Sequence, residues 1–186
     1  MNGYIKRRGF TLVELLIVIV VIGILSAMMM LSSTEAVSSA RAADIISDLR
    51  NLKTAALAWY MDNLDEIEAI DHQDVFRDSK HDENAKKIMR YMSNNNPDKL
   101  NFDSSVTRTD YKYSFGSTDD GTNIWYVWCK VDKDMNVRKK LEARAALVGL
   151  VGSPNFNGSN ITKGNVKEPF MASDTKDCQY VGLRIK

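Results

Sequence analysis

Three residues near the start of the chain, Gly9, Phe10 and Glu14, have types and spacing that suit one particular chemistry. Gly9 is small enough for a processing peptidase to accept, and cutting the Gly9–Phe10 bond would expose a new α-amino group. That cation would lie about one helical turn from Glu14, the only ionisable side chain between Phe10 and Leu31. A carboxylate in a membrane segment costs at least about 2.5 kcal/mol and normally has a partner. No Lys, Arg or His occurs between Arg8 and Arg41 to provide one. The amine released by cleavage would. If it belongs to a neighbouring copy, the costly charge becomes a register for assembly.

The other reactive side chains do not form a set. His72 and His81 lie nine apart in a polar connector, a spacing that aims them at no common point on a helix or a strand. Cys129 falls in an apolar run with no histidine nearby, so nothing marks it as a reactive thiol. Asp119, Asp120, Asp132 and Asp134 carry the oxygens calcium prefers. The spacing Asp132-Lys133-Asp134 lacks the remaining acceptors and the glycine of a calcium loop, so turn formation accounts for these acids. No catalytic residue, metal or cofactor is expected.

The element that must position Glu14 is the apolar run Leu15–Leu31, with Lys6, Arg7 and Arg8 just ahead of it. About 20 apolar residues suffice to cross a hydrocarbon core as a helix. Flanking positive charge is held on the cytoplasmic side, which places residues from about 35 onward outside. An ordinary secretory signal has its apolar core before the cleavage site; here it follows Gly9.

The string Arg7-Arg8-Gly9-Phe10-Thr11-Leu12-Val13-Glu14-Leu15-Leu16, with its short basic leader, its Gly-Phe junction and Glu14 four residues later, resembles the type IV pilin and type II secretion pseudopilin family. The close resemblance covers roughly residues 6–60. It implies cleavage after Gly9 by prepilin peptidase, methylation of the Phe10 amine, and storage in the inner (cytoplasmic) membrane among lipid. It also implies later extraction into a filament by an assembly platform, with copies of the chain and other pilin-like subunits as partners. Many members of the family carry a proline seventeen residues after the glutamate, where this chain has Leu31. Gly23 is the one weak helix position in the run, since glycine costs about 1 kcal/mol relative to alanine. Any bend is therefore expected at Gly23 rather than near residue 31.

The expected fold class is α+β. A leader (residues 1–9) precedes a helical stem (10–61, of which 10–31 is transmembrane) and an extracytoplasmic head (62–186). The stem packs on a small C-terminal antiparallel sheet with additional short helices. From Phe10 to about Met61 there is no proline. The apolar pattern is all-round to Leu31, then amphipathic through Val37, Ala40, Ala43 or Asp44, Ile45, Leu49, Leu52, Ala56, Trp59 and Tyr60. One continuous helix of about 50 residues is the economical reading. Short helices are expected near Asp65–Ile70 and from Asp82 to about Met92. Strands are expected around Tyr111–Phe115 and Ile124–Val131 as a hairpin, and at Gln179–Ile185. Between them a helix should run from about Asn136 to Leu147 and close at Gly149 or Gly152, with loop over 153–177.

Of the 186 residues, loss of 1–9 leaves 22 Lys and Arg against 24 Asp and Glu, a net charge of −2. That balance gives no support to a nucleic-acid partner. Cys129 and Cys178 both fall in the part expected outside, where disulfides form. One bridge would close a loop of about fifty residues, worth up to about 4 kcal/mol; two buried free thiols are the alternative. Pilins often fasten their C-terminal region with such a bridge, and the resemblance favours it.

A different class of function remains open to the same residues. The chain could be an extracytoplasmic enzyme or binding protein that uses 10–31 as an uncleaved anchor. Under that reading Glu14 has no explanation, and the head should show a concave site with convergent polar groups.

Overall fold

The computed structural model describes residues 9–68, 75–76, 79–92, 113–118, 124–131, 133–154, 160–161 and 163–186. The described elements are α1 (Leu12–Asp62), α2 (Leu64–Glu68), α3 (Ser79–Met89), β1 (Tyr113–Thr118), β2 (Trp125–Lys130), α4 (Met135–Val148), β3 (Leu150–Ser153), β4 (Asn160–Ile161) and β5 (Tyr180–Arg184). The chain forms two compact units, one ending at Val37 and one comprising Ser38–Lys186. The class is α+β, with one long N-terminal helix, an antiparallel sheet and additional short helices.

In the first unit α1 is unbroken through Gly23. In the second unit it buries Ala42, Ile46, Leu49, Leu52, Ala56 and Trp59, a stripe at helical spacing. The sequence points to Leu49 and beyond correctly. Earlier in the helix the stripe runs through Ser38, Ala42 and Ile46, while Val37 is 48% exposed and Ala40 and Ala43 face outward. The pairs Ala42-Ala43 and Ile45-Ile46 let either neighbour satisfy the period. Counting back from Leu49 in steps of three and four selects Ile46 and Ala42.

The sheet order is β3-β5-β2-β1-β4. The first four strands pair antiparallel; β4 adds two residues alongside β1 in parallel. β1 and β2 form the expected hairpin, with Phe115 opposite Val127. All six residues of β1 are buried. One face of the sheet meets the helices through Phe115, Trp125, Val127 and Leu183. The other buries Tyr126, Trp128 and Val151 in a second cluster. All three aromatic residues of β2 are thus core, and none turns outward.

Two joints tie α1 to the sheet. The Tyr113 hydroxyl on β1 donates to Asp48 Oδ2 at 2.6 Å. Trp59 and Tyr60 meet Trp125, the latter edge-on with ring centroids 5.3 Å apart. α4 starts under an N-cap, Asp134, which accepts from the Asn136 N–H at 2.9 Å. It ends at Gly149, where φ of 76° requires a residue without a Cβ penalty. The chain then enters β3 directly, a strand absent from the sequence expectations, which left these four residues as the end of a helix and the start of a loop.

The expected bridge between Cys129 and Cys178 is not formed; both are buried free thiols. Cys129 lies on β2, whereas the Cys178 sulfur occupies the space a Cβ on Gly152 of β3 would need. β5 runs between β2 and β3. Two strand spacings separate the positions by roughly 10 Å, beyond the reach of a disulfide. The C-terminal segment is instead fastened by Arg138 of α4. Arg138 is 2% exposed, and its guanidinium donates to the carbonyls of Ala172 at 2.9 Å, Asp174 at 3.2 Å and Cys178 at 2.8 Å, and lies 5.2 Å from the Phe170 ring centre. Arginine's five fixed donors suit such a cluster of carbonyls.

Candidate processing and assembly site

Gly9 and Phe10 are exposed and precede the helix, Phe10 being 83% accessible. The Gly9–Phe10 bond therefore lies in exposed, non-helical backbone. Thr11 stands at the N-cap of α1 and Glu14 three residues later, the spacing of a capping box. Glu14 Oε2 accepts from the Thr11 N–H and from the Thr11 hydroxyl, both at 2.9 Å. The Glu14 N–H in turn donates to Thr11 Oγ1 at 3.3 Å. The first backbone bond of the helix, from Leu15 N–H to the Thr11 carbonyl, is 3.3 Å.

This reciprocal arrangement was readable from Thr11-Leu12-Val13-Glu14, yet the sequence reading gave Glu14 no partner within its own turn. Two orphan donors of the helix start are satisfied, and the carboxylate sits where the helix dipole favours negative charge. Both bonds fall on Oε2. A carboxylate has about four acceptor positions, so Oε1 retains capacity for an incoming cation.

Beyond this turn the helix carries nothing but apolar and small side chains as far as Met30. They are exposed on every face, as four successive residues show: Leu15 59%, Leu16 51%, Ile17 55% and Val18 50%. The helix is long and apolar enough to cross a membrane, and none of its apolar window is buried.

The remaining candidate residues fall elsewhere. Cys129 and Cys178 are both in the core of the second unit. Asp134 caps α4. His72, Asp119, Asp120 and Asp132 lie outside the described residues, and His81 falls on α3. Among the described residues no group of three or more His, Cys, Asp or Glu gathers at one point.

No curated protein and no solved structure matches the chain. Residues 5–30, however, match the prokaryotic N-terminal methylation motif. That stretch contains Gly9, Phe10, the capping box and the exposed apolar turns. This chain therefore carries the signature of the prepilin-like proteins, the type IV pilins and pseudopilins that prepilin peptidase processes.

Proposed function

We propose that this chain is a structural subunit of a type IV pilus or a type II secretion pseudopilus. It is cleaved between Gly9 and Phe10, and Phe10 is methylated on its new amine. Residues 10–31 then hold it in the inner membrane with residues 62–186 outside. Assembly draws the stem out of lipid and into a filament of identical and related subunits. Glu14 neutralises the Phe10 amine of the adjacent copy, and the apolar faces of the stems bury one another in place of lipid. Because Glu14 is present, the chain suits a position beneath another copy rather than a tip.

The observation that supports this reading most is the carboxylate held at the first turn of an otherwise uncovered apolar helix, inside the methylation motif. Such a charge is costly in hydrocarbon without a partner, and methylation of an amine leaves it cationic. Mass spectrometry of the N-terminus, on protein from membranes with an active prepilin peptidase, tests it. The expected product begins at N-methylated Phe10. A chain that begins at Met1, or at any other residue, overturns the proposal.

A further inference from the structure

We infer that the groove between α1 and α4 receives the acidic segment around α2 of a second copy, so that heads join head to tail. The inference rests on the filament reading above and adds where the heads meet. The groove has a volume of about 420 Å³. Ile46 and Val148 give it an apolar floor, Leu147 stands at its rim 90% exposed, Arg50 and Arg144 line it, and among the described residues no carboxylate does. Arg144 is steadied there by a 3.4 Å hydrogen bond to Ser39 Oγ. Apart from the buried Arg138, α4 carries Lys139, Lys140 and Arg144 against Glu142 alone.

The complementary surface is on the same chain. Between Lys53 and Arg77 there is no Lys or Arg. Asp65 and Glu66 of α2 are exposed, while Ile67, 3% exposed, anchors the short helix to its own core. Just ahead, Met61 is 64% exposed. A donor with carboxylates beside one free apolar side chain matches an acceptor with two arginines above an apolar floor. Exposed ion pairs alone contribute little, so burial of Met61 against Ile46 and Val148 must supply much of the contact. The charges fix which surface docks and in what orientation. Because donor and acceptor are different patches, the contact is heterologous, and such contacts build helical filaments when the rotation does not close.

The test uses the full chain in its own membranes, with Leu147→Cys and Ala58→Cys, exposed one turn before Met61 on α1, introduced together and oxidised by copper phenanthroline. The native thiols are buried. Sedimented filaments are scored in parallel. The expected result is a ladder of cross-linked species from the double variant and none from either single variant. Adding Arg144→Glu should lower the cross-linked fraction about ten-fold, as apposed like charges do, and a further Glu66→Lys should restore it. Filaments that sediment without a ladder overturn the groove contact and leave the filament reading standing. Absence of both filaments and ladder, with wild type as well as variants, overturns both. Dimers from Leu147→Cys alone would show groove facing groove and overturn the head-to-tail arrangement, as would a ladder indifferent to Arg144→Glu.

Discussion

Thr11 and Arg138 carry more of this structure than their neighbours in the sequence suggest. Replacing an N-cap Thr with Ala costs about 1 kcal/mol, and here it also removes a donor to Glu14. Amide hydrogen exchange at Glu14 in detergent should therefore accelerate about five-fold in Thr11→Ala, while Thr11→Ser keeps the wild-type rate. An unchanged rate in Thr11→Ala would mean the capping box does not hold that turn. Arg138 concerns the other end of the chain. Arg138→Met would keep much of the volume and strand the carbonyls of Ala172, Asp174 and Cys178 without their donor. Groups left unpaired in this way cost about 3 kcal/mol or more together. The exposed Lys139→Met on the same helix should change stability by no more than about 0.5 kcal/mol. Urea unfolding of the two variants side by side measures the difference.

Between elements, a short hydrogen bond from Tyr113 to Asp48 helps join β1 to α1. Burial first, then the nearby Cys129 and the bond to Asp48, holds the Tyr113 hydroxyl far above its ordinary range. A folded pKa raised above the unfolded value of about 10 gives stability that is whole below pH 10 and is lost as pH rises beyond it. Thermal unfolding should accordingly fall between pH 10 and 11, and Tyr113→Phe should be less stable at pH 8 but flatter across that interval. The elements themselves were largely legible in the residues. α1, the β1–β2 hairpin, α4 and β5 appear within a few residues of where periodicity and turn residues put them. What escaped has local causes. β3 is four residues long, carries Gly152 and follows a helix cap without a spacer, so no run of alternation announces it. Gly152 is needed because the Cys178 sulfur fills the place of its Cβ, and Gly182 because a Cβ there would stand 2.7 Å from the Val127 carbonyl oxygen. Both are contacts between segments distant in sequence that no local pattern encodes. The same holds for the tether of the C-terminal segment. Two cysteines suggested it in the sequence, whereas it is made by an arginine more than thirty residues from the carbonyls it holds. At the N-terminus the signal is fully local, since Thr11 and Glu14 stand at capping-box spacing and Glu14 finds a partner within its own turn.

At the scale of the whole molecule, the two units meet opposite physical demands. Ser38–Lys186 closes a core of its own, from Ala42 on α1 to Ile185, and among the described residues none before Ser38 takes part in it. The first unit does the reverse and leaves its apolar side chains uncovered, which in water would cost about 25 cal/mol for every Å². Such a surface requires lipid or other stems. A change confined to the first unit should therefore spare the fold of the second while altering what the chain assembles into. Glu14→Gln is the sharpest such change, because it keeps size and hydrogen-bonding capacity at the capping box and removes only the charge. The unfolding free energy of the head in urea should stay within about 0.5 kcal/mol of wild type. Cleavage after Gly9 should continue, since the bond lies in exposed backbone ahead of the helix. Filament yield should drop at least about ten-fold, because each junction would then bury an amine without its counter-charge, a loss of several kcal/mol in a low-dielectric setting. Sedimentation of sheared filaments, normalised to processed protein in the membrane, reads this directly. Equal yields would show that stems pack by apolar contact alone, and Glu14 would then serve the helix start and nothing beyond it.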